Sequence, residues 1–455
     1  MSAFIDQELE ARGVSQVIVV VKSAPDPRSL RAALRAPGAL IDAAKLPAEF
    51  SSLAQCFRSS ELSQTSQLRA AYSAPGGAGE LGARRAARKP GASRTRSGSG
   101  AAAAIRRATD APDIPSARYY PNLGVMLGTV DRQGLSALRN DQRVTDVLGA
   151  PPLRLIRPRN VAAAKASGTY EWGLKALGIP ELHAQGLTGK GVVVGHLDTG
   201  ADGRHPALRG AILHFAEFDD FGREVQPTPR PHDTDDHGTH TAGTIAGRKV
   251  SGTVVGVAPG AKLASAIVIE GGDVVARVLG GMDWAVGLGV RVLSMSLGFP
   301  GYWTEFLSIT QLLRSRGMLP VFAIGNEGPG TSRSPGNYAE ALSVGACTKS
   351  GTVPRFSSSQ RFVRTRDPLT PDLVAPGQGV VSAAPGGGWQ SMDGTSMATP
   401  HVAGLAAVLM EAAPGKSSAQ IEQAIFDSCQ RGQGMPAERS NRGLPNGPRA
   451  LKLLV

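Results

Sequence analysis

Three short segments gather the residue types that acyl transfer needs. GVVVGHLDTG runs an apolar stretch into Asp198, HGTHTAGTIAG opens on His237, and DGTSMATPHVAG carries Ser396. A serine hydroxyl is a weak nucleophile and needs a base to take its proton. An imidazole base in turn needs an acid to fix its tautomer and stabilise its charged form. Singly, each residue has a plainer role: Asp198 as a turn cap, Ser396 as a helix N-cap, His237 as a structural histidine. His240, one turn after His237, is the poorer candidate for the base. Around Ser396, Gly394 offers backbone freedom and Met397 and Ala398 an uncrowded surround. The helix start there supplies N–H groups for an oxyanion, and Pro400 lies within that helix.

The elements that must position these residues follow from apolar patterning. From about residue 168, VVVGHL, KLASAIVI, RVLSMSL, LPVFAIG, ALSVGA and GVVSA alternate with helical stretches such as DVVARVLGGMDWAVG and YWTEFLSITQLLRSRG. Continuous apolar runs suit strands buried on both faces. Their alternation with helices predicts an α/β fold: a doubly wound, mostly parallel sheet with helices on both faces. Chemistry in such sheets gathers at the carboxyl ends of the strands, where Asp198 falls.

DTG, HGTHTAGTIAG and GTSMATPHVAG, in that order, resemble the three signatures of the subtilisin-like serine proteases; the acid–base–nucleophile order is itself a known mark of subtilisin. The resemblance covers about residues 171–455, including EWGLKALGIPELHAQGLTGKG and NRGLPNGPRAL. It implies a serine endopeptidase in which Asp198 orients His237, His237 serves as base then acid, and Ser396 attacks the carbonyl. VFAIGNEG resembles the oxyanion segment, which makes Asn326 an oxyanion donor beside the Ser396 N–H. SMSLG resembles the substrate-binding strand, so Ser296, Leu297 and Gly298 are expected to pair with an extended peptide.

Two departures from the family stand out. Ala207, Lys249 and Val250 occupy positions where many relatives carry calcium ligands; a cation there would meet a lysine, so this calcium site is expected to be absent, and no metal or cofactor is implied. Arg333, three residues before Gly336, falls in the first side-chain pocket. It would favour an acidic residue before the cut, unless it turns to solvent. No Asp or Glu lies between Asp146 and Glu171, where self-cleavage would fall, which argues against that preference or against self-cleavage.

The chain has 455 residues and a net charge of +12. Residues 1–165 hold 24 Lys+Arg against 13 Asp+Glu, so the basic character belongs to the first third. Residues 14–159 resemble the inhibitory leader of this family, and by that resemblance residues 1–165 are expected to be a propeptide-like, inhibitory α+β unit. It has a strand at VIVVVK, a strand–helix–strand run through GVMLGTV, DRQGLSALRND and RVTDVLGA, and a disordered basic insert at about 56–115. A separate targeting or binding module is the alternative. The insert lacks interleaved aromatics, so no nucleic-acid partner is expected and a solvated linker is preferred over a lipid-binding segment. The peptidase unit is residues 166–455. Three cysteines argue against a disulfide framework. No apolar run is long enough to span a membrane, and the start lacks a basic-then-apolar signal, so the expectation is a cytoplasmic protein, with non-standard export as the alternative.

Overall fold

The computed structural model describes residues 3–22, 41–42, 48–58, 117–219, 221–269, 271, 273–364 and 367–455. Most of the expected basic insert lies outside these residues; of its first three, Cys56 ends a short 3-10 helix, Ala48–Cys56, that the sequence did not announce, and Phe57 and Arg58 follow it.

Seven parallel strands form the main sheet, in the order Leu373–Pro376, Leu342–Cys347, Leu319–Ala323, Val292–Met295, Val193–Asp198, Lys262–Ile267 and Ile212–Glu217. Alternation along the strands feeds two cores. Val194, Val292 and Val321 face one layer with the helices His237–Ala246 and Thr395–Ala412, whereas Leu197, Leu293 and Phe322 face the other with the helices Val274–Gly287 and Leu307–Ser315. Both faces are covered, which is why the runs read as continuously apolar rather than alternating. The two helices that begin at His237 and Thr395 pack on each other, and their small residues set the close approach. A Cβ on Gly404 would sit 2.6 Å from the Val257 Cβ.

Residues before 150 build a second, antiparallel sheet in the order Ile41–Asp42, Ala117–Tyr120, Val125–Val130, Ser15–Val21 and Val144–Gly149. Its interior strand Ser15–Val21 explains the VIVVV run. Val17 and Val19 pack under the helix Arg132–Asn140 and the helix Ala3–Arg12, which the sequence reading had missed, while Ile18 on the opposite face joins the core of the helix Val274–Gly287. The helix Arg132–Asn140 is capped by Asp131, whose carboxylate accepts from the Gly134 N–H at 2.8 Å.

The joint between the sheets is polar at its centre. Asp283 is 2% exposed and accepts from the Asn122 N–H at 2.7 Å, the Leu123 N–H at 2.9 Å and the Asn122 amide at 2.9 Å. Asp273 caps the helix Val274–Gly287 and accepts from Gln16 at 2.7 Å and Arg118 at 3.1 Å.

Candidate active site

The strand Val193–Asp198 ends on the carboxylate that the sequence singled out. Asp198 is 2% exposed. Its Oδ1 accepts from the Thr199 N–H at 2.7 Å and from His237 Nδ1 at 2.7 Å. His237 is the first residue of its helix, and the next residue must be glycine: a Cβ on Gly238 would lie 2.0 Å from the Gly200 carbonyl oxygen. That contact draws the helix onto the DTG turn and sets the imidazole against the carboxylate.

The pair is electrostatically matched. Burial lifts the proton affinity of Asp198, but the charge and hydrogen bond of His237, with help from His196 and the Thr199 N–H, outweigh it and hold the carboxyl below its ordinary range. Burial alone would lower the pKa of His237; the Asp198 charge and hydrogen bond, with Asp235 and Asp233 farther out, raise it above the ordinary histidine value. His240 is different: burial pushes it down to about 3, and its Nε2 faces the Val380 carbonyl at 2.9 Å, so it has neither the proton affinity nor the partner of a general base.

Ser396 is fully buried near the start of the helix Thr395–Ala412. Its Oγ donates to the Ile156 carbonyl at 2.5 Å, while His237 Nε2 is buried without a hydrogen-bond partner. Pro400 has no N–H to give the Ser396 carbonyl four residues earlier, and Ser296 Oγ approaches that oxygen at 3.4 Å instead. Gly394 corrects one sequence expectation. Its φ of 169° is ordinary extended backbone, so conformational freedom is not its purpose. Space is: a Cβ there would stand 3.1 Å from Asn326 Nδ2.

Asn326 is held by its oxygen and free to donate with its nitrogen. Oδ1 accepts from the Thr395 N–H at 2.9 Å and the Thr395 hydroxyl at 3.0 Å, and Nδ2 donates to the Arg157 carbonyl at 2.9 Å. The carbonyls that Ser396 and Asn326 meet belong to the chain itself. Leu155 and Arg154 pair antiparallel with Leu297 and Gly298, and the Ile156 N–H donates to the Ser296 carbonyl at 3.0 Å. Beyond the site, Asn160–Ala163 adds antiparallel to Gln390–Asp393. Arg157 reaches Asp235 at 3.1 Å, and Arg159 Nε donates to the Asn326 carbonyl at 2.8 Å. A cavity of about 720 Å³ opens beside Arg159, Asn326 and Glu327.

Arg333 is neither free nor turned to solvent. Its guanidinium donates to Glu327 Oε1 at 2.6 and 3.1 Å and to the Gly298 carbonyl at 3.2 Å. Glu327, adjacent to Asn326 in the chain, passed unremarked in the sequence, as did Asp235; the partner of Asp235, Arg157, lies 78 residues away, and Glu327 meets Arg333 across a turn that no local pattern marks. Near Ala207, the Arg248 N–H donates to the Ala207 carbonyl at 2.8 Å, and Arg248 and Lys262 both donate to the Gly210 carbonyl, at 3.0 and 2.7 Å. Among the described residues no helix is long and apolar enough to cross a membrane.

Residues 189–444 match the model of the subtilase family. M-protease of Shouchella clausii (strain KSM-K16) is 39% identical over 252 residues, 55% of this chain and 62% of that protein. Subtilisin Savinase of Lederbergia lenta is also 39% identical, over 87% of its own length. Subtilisin E of Bacillus subtilis (strain 168) is 33% identical over 315 residues, 68% of this chain and 76% of that one. The chain thus spans somewhat under two thirds of the M-protease and most of the two subtilisins. On the family match and on these relatives, the chain belongs to the subtilase family, and residues 189–444 are its serine-type peptidase domain.

Proposed function

We propose that the protein is a serine endopeptidase whose residues 1–165 are an attached inhibitory leader and whose residues 166–455 are the peptidase unit. Ser396 is the nucleophile, His237 the general base and then acid, and Asp198 the group that orients His237. Asn326 and the Ser396 N–H receive the oxyanion. Ser296, Leu297 and Gly298 bind substrate as an added strand.

The observation that carries this reading is the course of residues 154–157. An extended segment pairs with Leu297–Gly298, gives its Ile156 N–H to Ser296 and lays the Ile156 carbonyl on Ser396 Oγ. In that register the presented bond is Ile156–Arg157. Ser396 Oγ attacks the Ile156 carbonyl carbon as His237 Nε2 takes its proton. The C–N bond breaks, the proton passes to the Arg157 amine, and water then releases the Ile156 acid from Ser396.

The resting arrangement favours retention over rapid cutting. Asn326 Nδ2 holds the carbonyl of Arg157, one residue past the one it must stabilise, and the strand Asn160–Ala163 keeps the downstream side in place. The leader is therefore an intramolecular inhibitor first and a slow substrate second. Glu327 balances the charge of Arg333 at the first pocket, so an apolar side chain such as that of Ile156 is the expected occupant. An acidic residue would have to compete with Glu327 for the guanidinium. Three unpaired thiols suit a reducing compartment, the cytoplasm, which cell fractionation would test.

Digestion of denatured casein, followed by identification of the new termini, tests the activity. Cuts after apolar residues that disappear in Ser396→Ala support it. No cutting by a preparation whose Ser396 accepts a fluorophosphonate would instead favour a dedicated maturation enzyme with one partner.

A further inference from the structure

Behind the Asp198–His237 pair lies a second, fully buried set of polar groups. His196, two residues before Asp198 on the same strand, is 1% exposed. Its Nδ1 faces Ser265 Oγ on the neighbouring strand at 3.0 Å and its Nε2 faces Thr241 Oγ1 at 2.8 Å. Thr241, one turn into the helix that His237 opens, lies 3.3 Å from Asp198 Oδ2. Its hydroxyl also lies 3.2 and 3.1 Å from the carbonyls of His237 and Gly238. Apolar side chains would fill this space without the cost of burying three polar ones, so the set needs a reason.

Proton bookkeeping gives one. In the tautomer assigned here, Ser265 Oγ donates to the imidazole Nδ1 and His196 carries its proton on Nε2. That N–H donates to the Thr241 oxygen. Of the three acceptors then within reach of the single Thr241 hydrogen, the carboxylate is the one that carries charge. The chain Ser265, His196, Thr241 thus points every donor toward Asp198 Oδ2. The other carboxylate oxygen, Oδ1, is already engaged by the Thr199 N–H and by His237. The two oxygens have separate duties: Oδ1 holds the imidazole, and Oδ2 is anchored from behind. Burial drives the pKa of His196 down to about 4, so it stays neutral and adds a dipole rather than a competing positive charge.

We propose that His196 and Thr241 are positioning residues of the peptidase reaction. They act through Asp198 by fixing the plane and charge of its carboxylate, and so the proton affinity of His237. This rests on the triad assignment above. The charged and titratable groups that bear on His237 are Asp198 on the strand, Asp233, Asp235 and Asp236 in the preceding loop, and His196 and His240. Losing the donor to Oδ2 leaves the Asp198 charge less compensated, which stabilises the charged imidazole and moves the acid limb of kcat/KM to higher pH.

The test uses the full chain after it has acquired activity, with each preparation normalised to the sites that a fluorophosphonate labels. Thr241→Val keeps the shape and removes the hydroxyl; Thr241→Ser keeps the hydroxyl; His196→Leu removes the ring donors and His196→Gln restores an amide N–H. Thr241→Val and His196→Leu are expected to lower kcat about tenfold with KM nearly unchanged and to shift the acid limb upward. Thr241→Ser and His196→Gln should recover most of both. The double variant should be no worse than the poorer single one, because the two residues act in one chain. Wild-type kcat and acid limb in folded Thr241→Val would overturn the proposal, as would Thr241→Ser falling as far as Thr241→Val. A wild type whose Ser396 accepts no fluorophosphonate even after removal of the leader would overturn the triad assignment and this inference together, whereas equality between variant and wild type in labelled, active preparations overturns this inference alone.

Discussion

Ser396 Oγ gives its hydrogen bond to the Ile156 carbonyl at 2.5 Å, and the residue that would accept its proton, His237, has a buried Nε2 with no partner. The two groups proposed as nucleophile and base are both buried, and the hydroxyl is engaged by the chain's own Ile156 rather than by the imidazole. An unpaired buried imidazole nitrogen is costly unless something uses it, and a proton arriving from Ser396 during attack is what would use it.

The amide of Asn326 is fixed by Thr395 and donates to a backbone carbonyl of the bound segment. Asn326→Ala should therefore spare KM and lower kcat on the order of 100- to 1000-fold. Steady-state kinetics on a peptide with an apolar residue before the cut would measure it. An equal change in KM and no change in kcat would remove Asn326 from the oxyanion role.

Because Asp198 holds the pKa of His237 above the ordinary histidine value, kcat/KM should fall with decreasing pH through a midpoint above 6.5. Below it the imidazole is protonated and cannot accept from Ser396. Asp198→Asn should lower kcat about ten-thousandfold. A pH–rate profile of wild type with a midpoint at or below 6.5 would contradict the raised value.

His401 is buried and its pKa is pushed down to about 4, with Nδ1 facing the Met397 carbonyl at 2.8 Å. The folded state thus binds fewer protons than the unfolded one. Its contribution to stability is complete above the ordinary value of 6.5 and is lost as pH falls toward the folded value. At pH 5 the loss is about 2 kcal/mol. Urea midpoints at pH 7 and pH 5 should differ less in His401→Gln than in wild type; an unchanged difference would show that His401 does not carry this pH dependence.

The fold was legible because the main strands are buried on both faces, so Val194, Leu197 and their neighbours are apolar without interruption. Asp198, His237 and Ser396 were legible because each lies inside a contiguous motif. The register of residues 154–156 was not, because Arg154–Ile156 meets Ser296–Gly298 across a sequence separation that no local pattern records. His196, Thr241 and Ser265 read as ordinary residues of a strand, a helix and a strand; only their shared burial under Asp198 joins them. The helix Ala3–Arg12 was missed because it has no sharply apolar face, though Ile5 and Leu9 do reach the core.

Asp283 receives three strong donors from Asn122 and Leu123, in the region proposed as a leader. Asp283→Ala would leave those buried donors unpaired, at about 1–3 kcal/mol, and should speed leader dissociation about tenfold or more. After cleavage, gel filtration of the two fragments should show them together in wild type and apart in the variant. Co-elution in both would place the hold elsewhere, at the apolar face around Ile18 and Tyr120.

The measurement that bears most directly on the central claim is the intact mass of wild type beside Ser396→Ala, each with and without a fluorophosphonate. The account predicts a wild type that accepts the label and separates into fragments divided between Ile156 and Arg157, with a Ser396→Ala chain that stays whole and unlabelled. A whole, unlabelled wild type that remains unlabelled after the leader has been removed before Arg157 would contradict it. So would fragments with the same new terminus in Ser396→Ala.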